Sequence, residues 1–285
     1  MKILIADSGA TKADWYLVEN GEILHFFSSK GISPVFQSQQ EIAEELRESV
    51  IQEFIKWEIE VIYFYGSGCT AENIPTVWNA LNQSFVTDNI KVYSDIIAVA
   101  HSLCGNKAGI ACILGTGSNS CEWNGKAIVK QISPLGFILG DEGSGAYMGK
   151  KLLGDALKNR LSERIKEKLL KEYELTPGKI IDKVYREPYP SRFLASFSPF
   201  IKENILDDSI RSIVKESFNQ FFERNVMQYN YNKYDVNFAG SIAWHYSELL
   251  HETAKNKEIN VGKIIKSPID GLIEYYKSEK NHFNI

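Results

Sequence analysis

Three glycine-bearing turns and one isolated aspartate supply the residue types in this sequence that could do chemistry. The first turn, Asp7-Ser8-Gly9-Ala10-Thr11-Lys12, follows a short apolar run. Its small residues let backbone N–H groups approach an anion, and Thr11 and Lys12 add a hydroxyl and a charge. Read by itself it is a weak signal, because Asp-x-Gly turns fill ordinary hairpins. The second, Gly115-Thr116-Gly117-Ser118-Asn119, has the same character without a charge, so an anion there would be held by amides and hydroxyls. The third, Gly140-Asp141-Glu142-Gly143-Ser144-Gly145, precedes a helical pattern, whose unsatisfied first-turn N–H groups and dipole favour negative charge. Asp141 and Glu142 read either as helix-start carboxylates or as acceptors for sugar hydroxyls or metal-bound water. The glycine density of that loop predicts that something approaches its backbone closely, a sugar, a phosphate or Mg²⁺ being suitable. Asp95 is the best candidate for a general base. It stands where a strand gives way to a helix, the edge of an α/β sheet where ligands collect, with helix capping by Ser94 or Asp95 as the alternative.

Other constellations are ruled out by spacing. Ser144 to Lys151 imitates a phosphate-binding P-loop but begins with Ser in place of Gly, and Lys151 stands where Ser or Thr must meet Mg²⁺. No Gly-x-Gly-x-x-Gly follows a strand. Cys69, Cys104, Cys112 and Cys121 form no C-x-x-C pair and the five histidines no H-E-x-x-H, so zinc and a disulfide framework lack support. The cysteines read as reduced packing residues, and His101, His245 and His251 as ordinary helix residues.

The elements that position these turns follow from periodicity. Ile3–Ala6, Trp15–Val18 and Glu22–Phe27 read as antiparallel strands, the latter two joined at Asn20-Gly21. Ile42, Leu46, Val50, Phe54 and Trp57 fall on one face of a helix over 40–57. A strand at 61–65, a helix over about 71–85, a strand at 90–93 and a helix from about Asp95 follow. The opening then recurs: Cys112-Ile113-Leu114, the second glycine turn, Trp123 and Asn124-Gly125 echo Ile5-Ala6-Asp7, the first turn, Trp15 and Asn20-Gly21. That joint order predicts a duplicated domain. Residues 145–173 read as helical, with the charges on a solvated face. The stretches Thr176-Pro177-Gly178 and Glu187-Pro188-Tyr189-Pro190 read as loop, 209–231 as helix, 236–239 as a strand leading into Gly240-Ser241 and another helix, and 268–277 as a final amphipathic helix.

With 285 residues, 44% hydrophobic and 24% charged, the chain is long enough for two domains with real cores. A net charge of −4 argues against a nucleic-acid partner. No apolar run suits a bilayer span or a signal segment, which predicts a cytoplasmic protein without a membrane partner.

Taken together, Asp7 to Lys12, Ser94-Asp95, Leu114-Gly115-Thr116-Gly117-Ser118-Asn119, Gly140-Asp141-Glu142-Gly143-Ser144-Gly145 and Ala239-Gly240-Ser241 resemble the successive signatures of N-acetylglucosamine kinase and the BadF/BadG/BcrA/BcrD-type ATPases. These belong to the sugar kinase/Hsp70/actin superfamily. The resemblance runs from residue 1 to about 245 and implies an α/β fold of two RNase H-like (actin-like ATPase) lobes with an interlobe cleft. The lobes would be residues 1–112, completed by a helix at 268–285, and residues 113–267 with a helical insertion. It implies ATP and Mg²⁺, a small-molecule sugar substrate and, by family expectation, a homodimer. Position by position, Asp7 resembles the residue near Mg²⁺. Gly9, Thr11 and Lys12 resemble the first phosphate hairpin, Thr116 and Gly117 the second, and Gly240 and Ser241 the adenosine contact. Asp95 resembles the base that takes the proton from the sugar hydroxyl, and Ser33, Ser118, Asn119, Asp141 and Glu142 fall at sugar-contacting positions.

Two departures from the animal enzyme's pattern bear on the substrate. Gly31-Ile32-Ser33-Pro34-Val35 stands where that enzyme offers an asparagine after Gly-Leu-Ser-Thr, and Ser133-Pro134-Leu135-Gly136 where it has Gly-Gly-Trp. The resemblance therefore implies a kinase, most directly of the 6-hydroxyl of N-acetylglucosamine, with glucosamine, N-acetylmuramic acid or another hexose as alternatives. Two further readings differ in class. An activator ATPase would need cysteine ligands for an iron–sulfur cluster, and a non-catalytic sugar sensor would ordinarily carry a helix-turn-helix ahead of the first strand.

Overall fold

The computed structural model describes residues 1–9 and 11–283. Ala10 of the first turn lies outside the described residues, as do Asn284 and Ile285 at the end of the predicted C-terminal helix. The chain divides into two compact units, one formed by Met1–Gly105 with the chain from Pro268 onward, the other by Asn106–Ser267.

In the first unit, β1 (Lys2–Ser8), β2 (Lys12–Glu19) and β3 (Glu22–Lys30) form the expected antiparallel meander. Asn20 and Gly21 both have positive φ, 54° and 87°, as a two-residue hairpin of this type requires. Helix α1 (Gln39–Glu45) starts at a capping box, in which Ser38 and Glu41 each satisfy the other's backbone N–H. It runs through a π-turn at Leu46–Val50 into α2 (Ile51–Phe54). Then come β4 (Val61–Gly66), α3 (Ile74–Ser84), β5 (Ile90–Ser94) and α4 (Asp95–Leu103). The sheet order is β3-β2-β1-β4-β5, with β4 and β5 parallel to β1. Strand β1 alternates strictly: Leu4 and Ala6 enter one core with Trp15, Ile42, Leu46 and Phe54, while Ile3 and Ile5 enter a second core. A strand buried on both faces reads as a continuous apolar run, which is why Ile3–Ala6 was legible.

The second unit repeats the plan with β6 (Ala108–Leu114), β7 (Ser118–Asn124) and β8 (Ile128–Ile132) antiparallel. A helical insertion follows: α5 (Gly136–Leu139), α6 (Gly145–Leu157), α7 (Glu163–Glu172), α8 (Pro177–Tyr185), α9 (Pro190–Ala195), α10 (Ser198–Glu203) and α11 (Asp208–Arg224). The chain then forms β9 (Val236–Ala239), α12 (Ser241–His245), α13 (Ser247–Lys255) and β10 (Val261–Ile265). The order β10-β9-β6-β7-β8, with β9 parallel to β6 and β10 parallel to β9, is the first sheet's order strand for strand. Finally α14 (Ile269–Phe283) returns to the first unit, where Ile269, Leu272, Ile273 and Tyr276 cover Ile3, Ile5 and Val18 of the second core.

Several expectations are corrected. Thr176-Pro177-Gly178 is not loop: Thr176 caps α8, its Oγ1 accepting the Lys179 N–H at 3.2 Å, and Pro177 takes the first helical position, where its missing N–H costs nothing. The helical pattern of 145–173 is two helices, α6 and α7. Strands β8 and β10 lacked a periodic signal because both lie at sheet edges with mostly part-exposed side chains. The tryptophan echo is not a structural equivalence either. Trp15 pairs with Ala6, two residues before the end of β1, whereas Trp123 pairs with Gly109, five before the end of β6, and so projects from the opposite face.

Candidate functional site

In the first unit the strand ends bring Asp7 and Asp95 to one sheet edge. Asp7 is in register with Tyr65 of β4, which is in register with Tyr93 of β5, and Asp95 opens α4 two residues later. By strand alternation Asp7 shares the face of Ile3 and Ile5, the face covered by α4. Burial pushes the Asp7 carboxyl up to about 7, the charges of Asp95 and Asp14 push it the same way, and Lys12 opposes them. Asp95 stands at the first position of α4, with Ser94 as N-cap but no capping hydrogen bond from its side chain. Both readings of Asp95 therefore survive locally: it lies in a helix first turn, where the dipole favours a carboxylate, and its charge acts on the half-buried Asp7.

The first hairpin is held by its own backbone. The Gly9 N–H donates to the Lys12 carbonyl at 2.9 Å, and the Gly31 N–H to the Thr11 carbonyl at 3.1 Å. Lys12 Nζ pairs with Asp14 at 2.8 Å. Ser8 Oγ donates to the Ile32 carbonyl and accepts the Ile32 N–H, both at 2.9 Å, which fixes the segment carrying Ser33 beside β1. Ser33 is buried; its N–H donates to Gln37 Oε1 at 2.8 Å and its hydroxyl to the Ser67 carbonyl at 3.3 Å.

In the second unit Thr116, Gly117, Ser118 and Asp141 come together. Asp141 Oδ1 accepts the Ser118 N–H at 3.1 Å, and a Cβ on Gly117 would lie 3.1 Å from that oxygen. Asp141 and Glu142 are both buried, and Asp141 has φ 56°, a left-handed conformation that a non-glycine residue adopts at a cost. Glu142 faces Arg224 at 3.6 Å. Asn119 Oδ1 accepts from the Ser120 N–H at 2.9 Å and from Gln131 at 3.0 Å. Gly240, with φ 115°, ends β9 so close to β6 that a Cβ would sit 2.4 Å from the Leu114 carbonyl, and Ser241 opens α12 directly after it.

Two sequence arguments about the third turn do not hold. Asp141 and Glu142 are outside the first turn of α6, which starts at Gly145 with Ser144 as its cap. The first-turn amides, expected to await an anion, are taken: Gly145 donates to the Gly115 carbonyl at 2.8 Å, Ala146 to the Thr116 carbonyl at 3.0 Å and Tyr147 to Ser144 Oγ at 3.1 Å. The glycines are likewise required by protein neighbours. A Cβ on Gly140 would meet the Pro134 carbonyl at 2.0 Å, one on Gly143 would meet Leu114 at 2.9 Å and Phe221 at 3.0 Å, and one on Gly145 would meet Ser198 Oγ at 2.8 Å. The helix end clamps the second hairpin.

Sequence reasoning missed three contributors. Ser8, which fixes the Ser33 segment beside β1, carries no sequence signal beyond being a small residue of the first turn. Pro134, whose carbonyl accepts the Asp141 N–H at 3.0 Å, carried no signal beyond a departure from a family pattern. His101 is a buried member of an aromatic cluster: Tyr65 O–H bonds its Nδ1 at 2.9 Å and also bonds Tyr276 O–H, Tyr275 stacks on it at 4.2 Å, and burial pulls its pKa down to about 4. Its helical position alone predicts none of this. A cavity of about 490 Å³ beside Trp244, Ser247, His251, Gly262 and Ile264 contains none of the predicted site residues. Among the described residues no three His, Cys, Asp or Glu side chains group as a metal cage, and no helix is long and apolar enough to cross a membrane.

No family model matches the chain, nor does any curated protein. Solved structures do. A protein from Porphyromonas gingivalis described as a "Putative N-acetylglucosamine Kinase" is 44% identical, with 98% of this chain and 99% of that one covered and a TM-score of 0.95. A ROK family glucokinase from Streptomyces griseus, solved with glucose and AMPPNP, is 13% identical over 96% of this chain and 98% of that one, at a TM-score of 0.56. MreB5 of Spiroplasma citri, bound to ADP, is 10% identical over 99% and 97%, at 0.61. The last two likenesses are of fold alone.

Proposed function

The chain belongs to the N-acetylglucosamine kinase family of sugar kinases, with the actin-like ATPase fold, and from that membership we propose that it transfers the terminal phosphoryl group of ATP to the 6-hydroxyl of N-acetylglucosamine. The observation that carries the reading is the pair of carboxylates at the edge of the first sheet, Asp95 at the start of α4 and Asp7, whose carboxyl burial and Asp95 together hold near neutrality.

Asp95 is the general base. As the sugar oxygen attacks the terminal phosphorus and the bond to the bridging oxygen of ADP breaks, the hydroxyl proton passes to the Asp95 carboxylate. Asp7 is the residue that would hold Mg²⁺, directly or through water. A half-buried carboxyl raised by neighbouring carboxylates fits a divalent cation, and the lack of a protein-only metal cage among the described residues suits an ion that takes its remaining ligands from phosphate and water. When bound, Mg²⁺ neutralises charge on the phosphate oxygens. Gly9, Thr11 and Lys12 of the first hairpin and Thr116 and Gly117 of the second would position phosphates, and Gly240 and Ser241 the adenosine. Ser33, Ser118, Asn119, Asp141 and Glu142 would contact the sugar.

The activator-ATPase reading loses support because Cys69, Cys112 and Cys121 are buried within the chain, whereas a cluster shared at a subunit interface needs its cysteine ligands at the surface. The deciding experiment supplies ATP and Mg²⁺ with N-acetylglucosamine, glucosamine, N-acetylmuramic acid and glucose in turn, scoring ADP formation and the position phosphorylated. N-acetylglucosamine 6-phosphate as the product of highest kcat/KM is expected; ADP release with none of the sugars would sink the proposal.

A further inference from the structure

The loop carrying Asp141 and Glu142 follows a short helix with little of its own to hold it. Helix α5 buries none of its four residues, and around it Leu135, Ile138 and Leu139 are 60%, 71% and 71% exposed. Phe137 alone packs, partly buried, against the core of the unit. With so little apolar burial, the position of this turn rests on polar ties. Besides the Ser118 N–H on Asp141 Oδ1 and the Ser144 N–H on the Asp141 carbonyl, both at 3.1 Å, three ties are seen. The Gly140 N–H donates to the Gly136 carbonyl at 2.8 Å and the Asp141 N–H to the Pro134 carbonyl at 3.0 Å, both within the turn. The third leaves it: Lys150 Nζ, from the second turn of α6, donates to the Phe137 carbonyl at 2.7 Å.

The charge of Lys150 is also matched to its setting. Its ammonium lies 5.1 Å from the centroid of the Tyr147 ring. Burial pulls its pKa down, while Glu142 and then Asp141 act in the opposite sense and Lys151 with the burial. Both carboxylates of the loop thus feel this cation. Because α6 is itself clamped to the second hairpin through Gly145 and Ala146, a side chain fixed on α6 and bonded to α5 sets the loop relative to Thr116, Gly117 and Ser118.

We propose that Lys150 is a positioning residue for the sugar-contacting carboxylates: its charge-assisted bond to the Phe137 carbonyl ties α5 to α6 and holds Asp141 in the left-handed conformation that places Oδ1 on the Ser118 N–H. This rests on the assignment of Asp141 and Glu142 to the sugar. It also explains the Gly149-Lys150 pair that imitates a P-loop. A Cβ on Gly149 would lie 1.9 Å from the Leu194 carbonyl, so the glycine serves helix packing and the lysine serves the loop.

The test compares Lys150→Met, which keeps the stem and removes the charge, with Lys150→Arg, which keeps a donor. Steady-state kinetics with N-acetylglucosamine and ATP should show the sugar KM rising about tenfold in Lys150→Met, with kcat and the ATP KM within about threefold of the parent, and Arg restoring most of the loss. Amide hydrogen exchange over residues 136–141, read without any sugar, should quicken about tenfold in Lys150→Met and stay near the parent rate in Lys150→Arg. Unchanged exchange in Lys150→Met, an equal rise in both KM values, or failure of Arg to rescue would each overturn the proposal. If the parent phosphorylates no amino sugar, the assigned substrate fails while the exchange measurement still decides whether Lys150 holds the loop.

Discussion

The two sheets share a strand order and a glycine-bearing hairpin between their first two strands, yet only the first carries carboxylates at its strand ends. Counting registers from each hairpin, Asp7, Tyr65 and Tyr93 occupy the positions of Ile113, Ala239 and Ile265, and Asp95 stands where the second unit has Ser267. The second unit supplies its carboxylates differently. Asp141 and Glu142 arrive on an insertion after β8, through a left-handed residue held by hydrogen bonds. A duplicated frame thus gives two equivalent edges. Carboxylates stand at one edge through the residues of the strand ends and at the other through added chain. The equivalent glycines Gly66 and Gly240 serve the same end in both, ending a parallel strand where a side chain has no room.

The largest expected effect tests the asymmetry directly. Asp95→Asn should lower kcat by about 10²–10⁴-fold with ATP affinity within about threefold, whereas Ser267→Ala, its counterpart, should leave kcat within about twofold. Near-normal turnover in Asp95→Asn would remove that residue from the role of base. The shared glycines come next. Gly240→Ala forces a Cβ against the Leu114 backbone at positive φ and should cost about 2–4 kcal/mol in urea unfolding. Gly66→Ala meets the Phe64 ring and Cys69 Sγ instead, side chains that can shift, and should cost about 1–2 kcal/mol. Equal losses would mean that the two strand ends are built alike after all.

An effect of the same order as at Gly66 separates Asp7 from Ile113 through pH. Because the folded carboxyl holds its proton up to about 7 while an unfolded one releases it near 4, stability falls as pH rises through that interval and then levels off. Asp7→Asn removes the penalty, so without nucleotide it should stabilise the protein by about 1–3 kcal/mol at pH 8 and by little at pH 4. A gain of the same size at both pH values would show that ionisation is not its source. The smallest effect is at Lys12, whose own side chain is exposed though its partner Asp14 is half-buried: Lys12→Ala should shift the Tm by less than about 2 °C in differential scanning calorimetry.

Much of the architecture was legible because alternation and turn chemistry agree locally. Ile3–Ala6, the Asn20-Gly21 hairpin and the helix after Asp95 are set by short-range rules, and the recurrence of strand, glycine turn and strand gave the duplication. The edge strands β8 and β10 were not legible, since a part-exposed strand has no strong periodicity, and Thr176-Pro177 was misread because capping and loop residues share a vocabulary. At the site, the residue types of Asp7, Asp95 and Asp141 were visible but their surroundings were not. Which partners a helix end finds is decided by residues far apart in sequence: Gly145 and Ala146 bond back to the hairpin about thirty residues earlier, and no local pattern encodes that.

The return of α14 to the first sheet has a consequence for biosynthesis. On a ribosome the meander of residues 2–30 emerges long before α14, so the face of Ile3, Ile5 and Val18 has only α4 to cover it while the whole second unit is made. The second unit, contiguous in the chain, can finish first, and the first closes its second core only when the last helix arrives.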